Sequence, residues 1–367
     1  METSRERFIM TVNHIEPEVV PLYLMGFDEM AKWLKRCDAQ DNLDLQTKLG
    51  LDVLDVRAVY TGPHAGLGRD IWGKDFSELG STGFGYSSSR GAYPLAEATS
   101  VADVDNFPWP DSDHFDYQVV RDVLETMPAD RAKLGKIVYA TQAPGQTRVA
   151  AARGLGKWIP LFCGLADLFG MENTLMNLHG AAPVMEATIA HLEHLILGFA
   201  RRLLDSTDGM IDALFFGDDF STQSGLMISP ADWRRFLKPT YGRLFALVKS
   251  YGVKVWFHSC GTFRPVLPDL IDMGMDIWET VQVHLPGNAP EVLKRDFGQH
   301  LTFSGAISTQ KTLPFGTPED VSAEVRERIR VLGRGGGYIC GGDHFILPDV
   351  PDQNVMAMLD EARNFRL

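Results

Sequence analysis

From Ala213 onward, short apolar runs alternate with longer amphipathic stretches in a regular beat. Ala213–Gly217, Lys254–His258, Asp276–Val281, Leu301–Gly305 and Gly337–Cys340 have the length and apolar character of buried strands. Helix patterns separate them. One opens at Ser229-Pro230 and runs to about Gly252; Ser supplies a capping oxygen, and Pro lacks an N–H that would have no partner in a first turn. Another ends near Gly274, a short one spans Glu291–Phe297, and Thr317-Pro318-Glu319-Asp320 starts one that stops at Gly333. Asn354–Phe365 closes the series. The first half is looser: Val19–Leu24, Leu51–Val56 and Lys136–Thr141 are predicted strands, and Pro183–Asp205 is a long helix.

Eight strands spaced by helices predict βαβ units on a parallel sheet and an α/β fold, a closed (β/α)8 TIM barrel. A doubly wound open sheet is the competing reading, but no G-x-G-x-x-G follows the first strand. Residues 1–367 are therefore expected to form one domain, with an elaborated loop region over residues 60–116. That stretch is rich in Gly, Ser and Pro (Gly83-Phe-Gly85, Tyr86-Ser-Ser-Ser89, Pro108-Trp-Pro110) and is expected to be a lid or a loop with short strands of its own.

Composition narrows the setting. A 367-residue chain that is 45% hydrophobic can bury a large core. Its formal charge of −13 repels nucleic-acid phosphates and anionic membranes, so neither is an expected partner. No apolar run approaches the ~18 residues of a membrane span, and Met1–Arg7 does not resemble a signal peptide. Four cysteines (Cys37, Cys163, Cys260, Cys340) are too sparse for a disulfide framework, which fits a reducing cytoplasm.

In such a barrel the chemistry lies at the C-terminal ends of the strands. Those ends are chemically loaded here: Asp218-Asp219, His258-Ser-Cys260, Glu279 with Gln282, Ser308 with Gln310, and Cys340-Gly-Gly-Asp343-His344. A thiolate and an imidazole two residues apart can chelate one borderline ion, and Zn²⁺ accepts both. A catalytic zinc keeps an open position, so three protein ligands are expected: His258, Cys260 and either His344 or Cys340. One of Asp218 and Asp219 is expected to face the pocket while the other caps a neighbouring segment. Asp218 is the candidate catalytic carboxylate. Glu279 is a candidate base or displaceable fourth ligand. Tyr23, Asp219 and Gln282 are candidate substrate contacts.

These segments carry a resemblance. Arg5-Glu-Arg-Phe8, Val20-Pro21, Asp105-Asn-Phe-Pro-Trp-Pro110, Gly170-Met-Glu-Asn-Thr174, Gly217-Asp-Asp-Phe220, His258-Ser-Cys-Gly261, Phe315-Gly-Thr-Pro318 and Asp349-Val-Pro351 together resemble the uroporphyrinogen decarboxylase superfamily over nearly the whole chain. The resemblance implies a (β/α)8 barrel. True decarboxylases resemble one another in an arginine-rich segment after the first strand, where this chain has Leu22-Tyr-Leu-Met-Gly-Phe27. The His-x-Cys pair is instead similar to the zinc-dependent methyltransferase branch, which moves methyl groups to or from a corrinoid. By spacing, His344 best matches that branch's third ligand, with Cys340 four residues earlier.

The resemblance thus implies methyl transfer between a small methylated compound and a corrinoid (cobalamin) that is free or carried by a separate protein. The apolar Leu22–Phe27 segment and the aromatic loop region favour a methoxylated aromatic, as in O-demethylases. A decarboxylase or other lyase on the same barrel is the alternative, and a non-catalytic binding protein the third.

Overall fold

The computed structural model describes residues 2–74, 93–143 and 145–367. Seven strands follow one another in chain order and pair in parallel: β1 (Val53–Tyr60), β2 (Ala132–Ala140), β3 (Ala213–Gly217), β4 (Lys254–His258), β5 (Ile277–Val281), β6 (Thr302–Ile307) and β7 (Tyr338–Gly342). Helices cover them from outside, so every strand is buried on both faces, which explains their near-continuous apolar sequences.

The eighth stave is the predicted strand Val19–Leu24, and it forms only in part. Leu22 bridges Cys340 of β7 in parallel. Cys340 N–H donates to the Pro21 carbonyl at 2.8 Å, and Tyr23 N–H to the Cys340 carbonyl at 3.1 Å. On the other side Asp52 N–H, just before β1, donates to the Leu22 carbonyl at 2.9 Å. Pro21 has no N–H to extend a regular ladder, so the stave is held by bridges rather than a strand. These bonds join β7 to β1 and close the parallel sheet on itself.

Alternation along the strands sorts side chains into two cores. Val53, Ala132, Leu134, Val138, Ala213, Phe215, Trp256, Ile277 and Ile339 fill the lumen with Tyr23, Phe8 and Val12. The residues between them pack against the helices. Phe8 and Val12 come from α1 (Ser4–Val12), which starts at a capping box between Thr3 and Glu6. Phe8 lies under the barrel with its ring stacked on Trp256, centroids 6.2 Å apart.

The outer layer follows the sequence closely. The long helix spans Ala182–Thr207, and the helix over Pro318–Leu332 carries the expected Thr317 cap. Ser229 accepts from Asp232 N–H and starts a helical path that continues through Lys238–Ser250. Gly252, at φ +73°, supplies the left-handed turn after it, a conformation costly for residues with a Cβ. Within the region predicted as an elaborated loop, Phe115–Asp116 is a short strand antiparallel to the end of β1. The segments Gly83–Gly85 and Tyr86–Ser89 of that expectation lie outside the described residues. No described helix is long and apolar enough to cross a membrane.

Candidate metal centre and barrel lumen

The C-terminal ends of β3 and β4 lie side by side, with Gly217 in register with His258. Beyond β3 the chain makes a tight hairpin, Ser221–Thr222 against Gly225–Leu226, which folds against the turn after β4. That turn is fixed from three sides. Cys260 N–H donates to Asp219 Oδ1 at 2.7 Å, the Ser221 hydroxyl donates to the Cys260 carbonyl, and Gly261 N–H donates to Gln282 Oε1 at 2.9 Å. Gly261 has φ +86°, and a Cβ there would stand 2.4 Å from the Thr222 carbonyl oxygen. Only glycine fits.

This scaffold brings Asp219, His258 and Cys260 together, each offering a donor atom within 4.8 Å of the others. His258 Nε2 lies 3.5 Å from Cys260 Sγ and 3.7 Å from Asp219 Oδ1. A tetrahedral zinc, with Zn–S of about 2.3 Å and Zn–N of about 2.0 Å, requires ligand-to-ligand edges of roughly 3.5 Å. The donor set fits. His258 Nδ1 is 3.0 Å from the Thr280 hydroxyl, which can accept an Nδ1–H and leave Nε2 with its lone pair free. Trp158 packs edge-on to the imidazole at 4.6 Å. It reaches there because residue 217 is glycine: a Cβ would meet the indole at 2.7 Å.

The electrostatics point the same way. Burial holds the His258 imidazole well below its usual range, helped by the nearby His344 and Lys136 charges. Burial also pushes the Cys260 thiol far up, as do the Asp219, Asp343 and Glu279 carboxylates. Asp219 is itself raised to about 6, chiefly by burial. A thiolate among carboxylates is unfavourable without a cation, and a bound cation inverts that balance.

The remaining predicted residues separate. The fully buried Asp218 carboxylate accepts from Leu161, Phe162 and Cys163 N–H, at 3.0, 2.6 and 2.9 Å, and from the Tyr241 hydroxyl at 2.7 Å. It thus caps the helix Phe162–Phe169, which has no side-chain cap of its own. Asp219 is the aspartate that joins the donor group. Gln282 spends its Oε1 on Gly261. Cys340 belongs to the outer core with Tyr338, away from the lumen residue Ile339, and burial raises its thiol to about 12. His344 lies near enough to His258 for their charges to interact, outside the three-residue group.

Glu279 is the register partner of His258 and accepts the Trp256 indole N–H at 2.8 Å; burial raises its carboxyl to about 7. Tyr23 lies deeper, its hydroxyl accepting from Lys136 Nζ at 2.9 Å. Lys136 also pairs with Asp55 at 2.7 Å, and Asp55 pairs in turn with Arg57.

Sequence reasoning placed no cations in the lumen. The signal was present: Asp55 and Arg57 alternate with apolar residues in β1, and such positions share a face. His284 was also missed. Its Nδ1 stands 3.6 Å from Asp343 Oδ2, while Asp343 Oδ1 accepts from Thr309 N–H and hydroxyl.

Known proteins agree with this architecture. A methyltransferase from Methanosarcina mazei superposes with a TM-score of 0.63 at 17% identity, covering 100% of this chain and 99% of that one. At that identity the likeness shows the fold. Uroporphyrinogen decarboxylases from two strains of Thermus thermophilus are 28% identical over 134 residues, 36% of this chain. That match spans 37% of the length of these curated relatives. Residues 165–365, more than half of the chain, match the family described as uroporphyrinogen decarboxylase (URO-D). They include both strand ends that carry Asp219, His258 and Cys260, and the chain belongs to the URO-D family.

Proposed function

We propose that the chain is a zinc-dependent methyltransferase. It moves a methyl group between a small methylated compound, a methoxylated aromatic in the favoured case, and a corrinoid that is free or carried by a partner protein. The observation that carries this reading is the Asp219–His258–Cys260 donor group at the mouth of the barrel. The fold shared with a methyltransferase supports it.

His258 and Cys260 would hold the metal, with Asp219 or His344 completing the set. A zinc ion there supplies Lewis acidity toward an ether or thiol heteroatom. The chain's own residues supply the rest. Thr280 orients the His258 ring, and Ser221, Asp219 and Gln282 fix the backbone that presents Cys260. Trp158 shields the imidazole from solvent. Glu279, held near 7, can take up or release a proton close to neutral pH.

Decarboxylation is the second reading, favoured by the curated relatives, which are uroporphyrinogen decarboxylases. Anaerobic incubation with cob(I)alamin and a panel of methoxyaromatics separates the two. Methylcobalamin formation, followed by the cobalt absorption bands, supports methyl transfer. Coproporphyrinogen from uroporphyrinogen, with no methylcobalamin from any donor, would overturn it.

A further inference from the structure

Arg57 is 3% exposed, and within the described residues only its Nη2 has a partner, the Asp55 carboxylate. Its Nε and Nη1 are shut from solvent and donate to no described residue. Two unsatisfied donors on one buried cation are costly unless a ligand completes them. Lys136 is the register partner of Arg57 on β2, and Asp55 is the one carboxylate paired with both. Glu279, engaged with Trp256, makes no ion pair with either among the described residues. The side of the lumen next to β1 therefore holds two cations around one paired anion. Space beside Arg57 depends on Gly156, where a Cβ would stand 2.9 Å from Arg57 Cδ.

The path from these cations to the metal centre is aromatic. Lys136 Nζ lies 4.7 Å over the Phe215 ring, and Phe215 lies 6.0 Å from the His258 ring with Trp158 against both. By register, Lys136 and Phe215 share one level, and Gly217 with His258 stands two residues higher. That step is about 6.6 Å of strand rise.

We infer that Arg57 and Lys136 form an anion subsite for the carboxylate of an aryl substrate, whose methoxy group then lies toward His258 and Cys260. The subsite rests on Arg57 itself; the position of the methoxy group rests on the methyl-transfer reading above. The guanidinium carries a fixed charge, and its free Nε–H and Nη1–H, on different edges of the plane, can each donate to a carboxylate oxygen.

Calorimetry on the full-length protein tests the subsite without any turnover, using 4-methoxybenzoate and its neutral amide, 4-methoxybenzamide. We expect the carboxylate to bind and the amide to bind about tenfold more weakly or worse. Arg57→Gln should remove that preference and Arg57→Lys restore part of it, with circular dichroism reporting folding. The comparison of the two ligands on the unaltered protein holds even if a variant fails to fold. Equal affinity for both ligands, or no binding of the carboxylate, would overturn the inference. Methyl transfer from a neutral donor alone would then leave the proposed function standing. Carboxylate binding without methyl transfer would leave only the subsite.

Discussion

His258 Nε2 and Cys260 Sγ stand 3.5 Å apart, within reach of an S–H donating to the lone pair of the neutral, buried imidazole. Their separation matches an edge of a zinc tetrahedron. Cys260→Ala removes the softest donor. We expect the unaltered protein to carry about one zinc per chain and the variant to lose both metal and methyl transfer. Full zinc occupancy in Cys260→Ala, measured by atomic emission, would reject the ligand assignment.

The third protein ligand is open to a ranking. Asp219 is in the donor group, His344 is close to His258, and Cys340 faces the helix layer. Zinc affinity should fall more in Asp219→Asn and in His344→Ala than in Cys340→Ser. Cys340→Ser should instead lower thermal stability, because a hydroxyl is placed among apolar side chains. Metal loss in Cys340→Ser equal to that in Cys260→Ala would reverse the ranking.

Asp218 holds the turn into a helix, with four donors on its carboxylate. Asp218→Ala strands three buried backbone N–H groups and a phenol. We expect a loss of about 3 kcal/mol or more in denaturant unfolding, seen in metal-free and metal-loaded protein alike. Unchanged stability with abolished turnover would return Asp218 to a catalytic role.

Glu279 gives a pH dependence of known sign. Its carboxyl is raised to about 7 in the folded chain, so between the ordinary glutamate range and pH 7 the folded state binds the extra proton. Stability of the metal-free protein should fall as pH rises through that window, by about 3 kcal/mol. Glu279→Gln keeps an acceptor for Trp256 and should flatten this part of the profile. An unaltered slope in the variant would show that other groups set it.

Gly261→Ala tests the scaffold rather than the donors. The new methyl would collide with the Thr222 carbonyl and shift the Cys260 turn. A drop in zinc affinity of about 10–100-fold is expected, with near-normal far-ultraviolet circular dichroism. Intact metal binding would mean that the hairpin yields instead.

Most of the barrel is legible in the chain because each strand from Ala213 onward is a short apolar run ended by a polar cluster. His258 and Cys260 are legible for the same reason. The eighth stave is only half legible: Val19–Leu24 has the composition of a strand, but Pro21 interrupts its ladder. Asp219 is harder to place, since its direction depends on a hairpin of two-residue strands that no periodicity announces. Arg57 and Lys136 escape because charged residues in apolar strands are usually assigned to the edges. Here Asp55 and the Tyr23 hydroxyl give them partners inside the lumen.

Phe8 and Val12 plug the lower end of the lumen, beneath Trp256. The proposed reaction between a small donor and a bulky corrinoid would have an imposed order in such a well. Both must use the same opening, so the small molecule has to be seated before the large one covers it, and must wait for its departure to leave. Steady-state kinetics should therefore show a compulsory sequence, with the corrinoid, in excess and binding first, acting as an inhibitor of its own reaction.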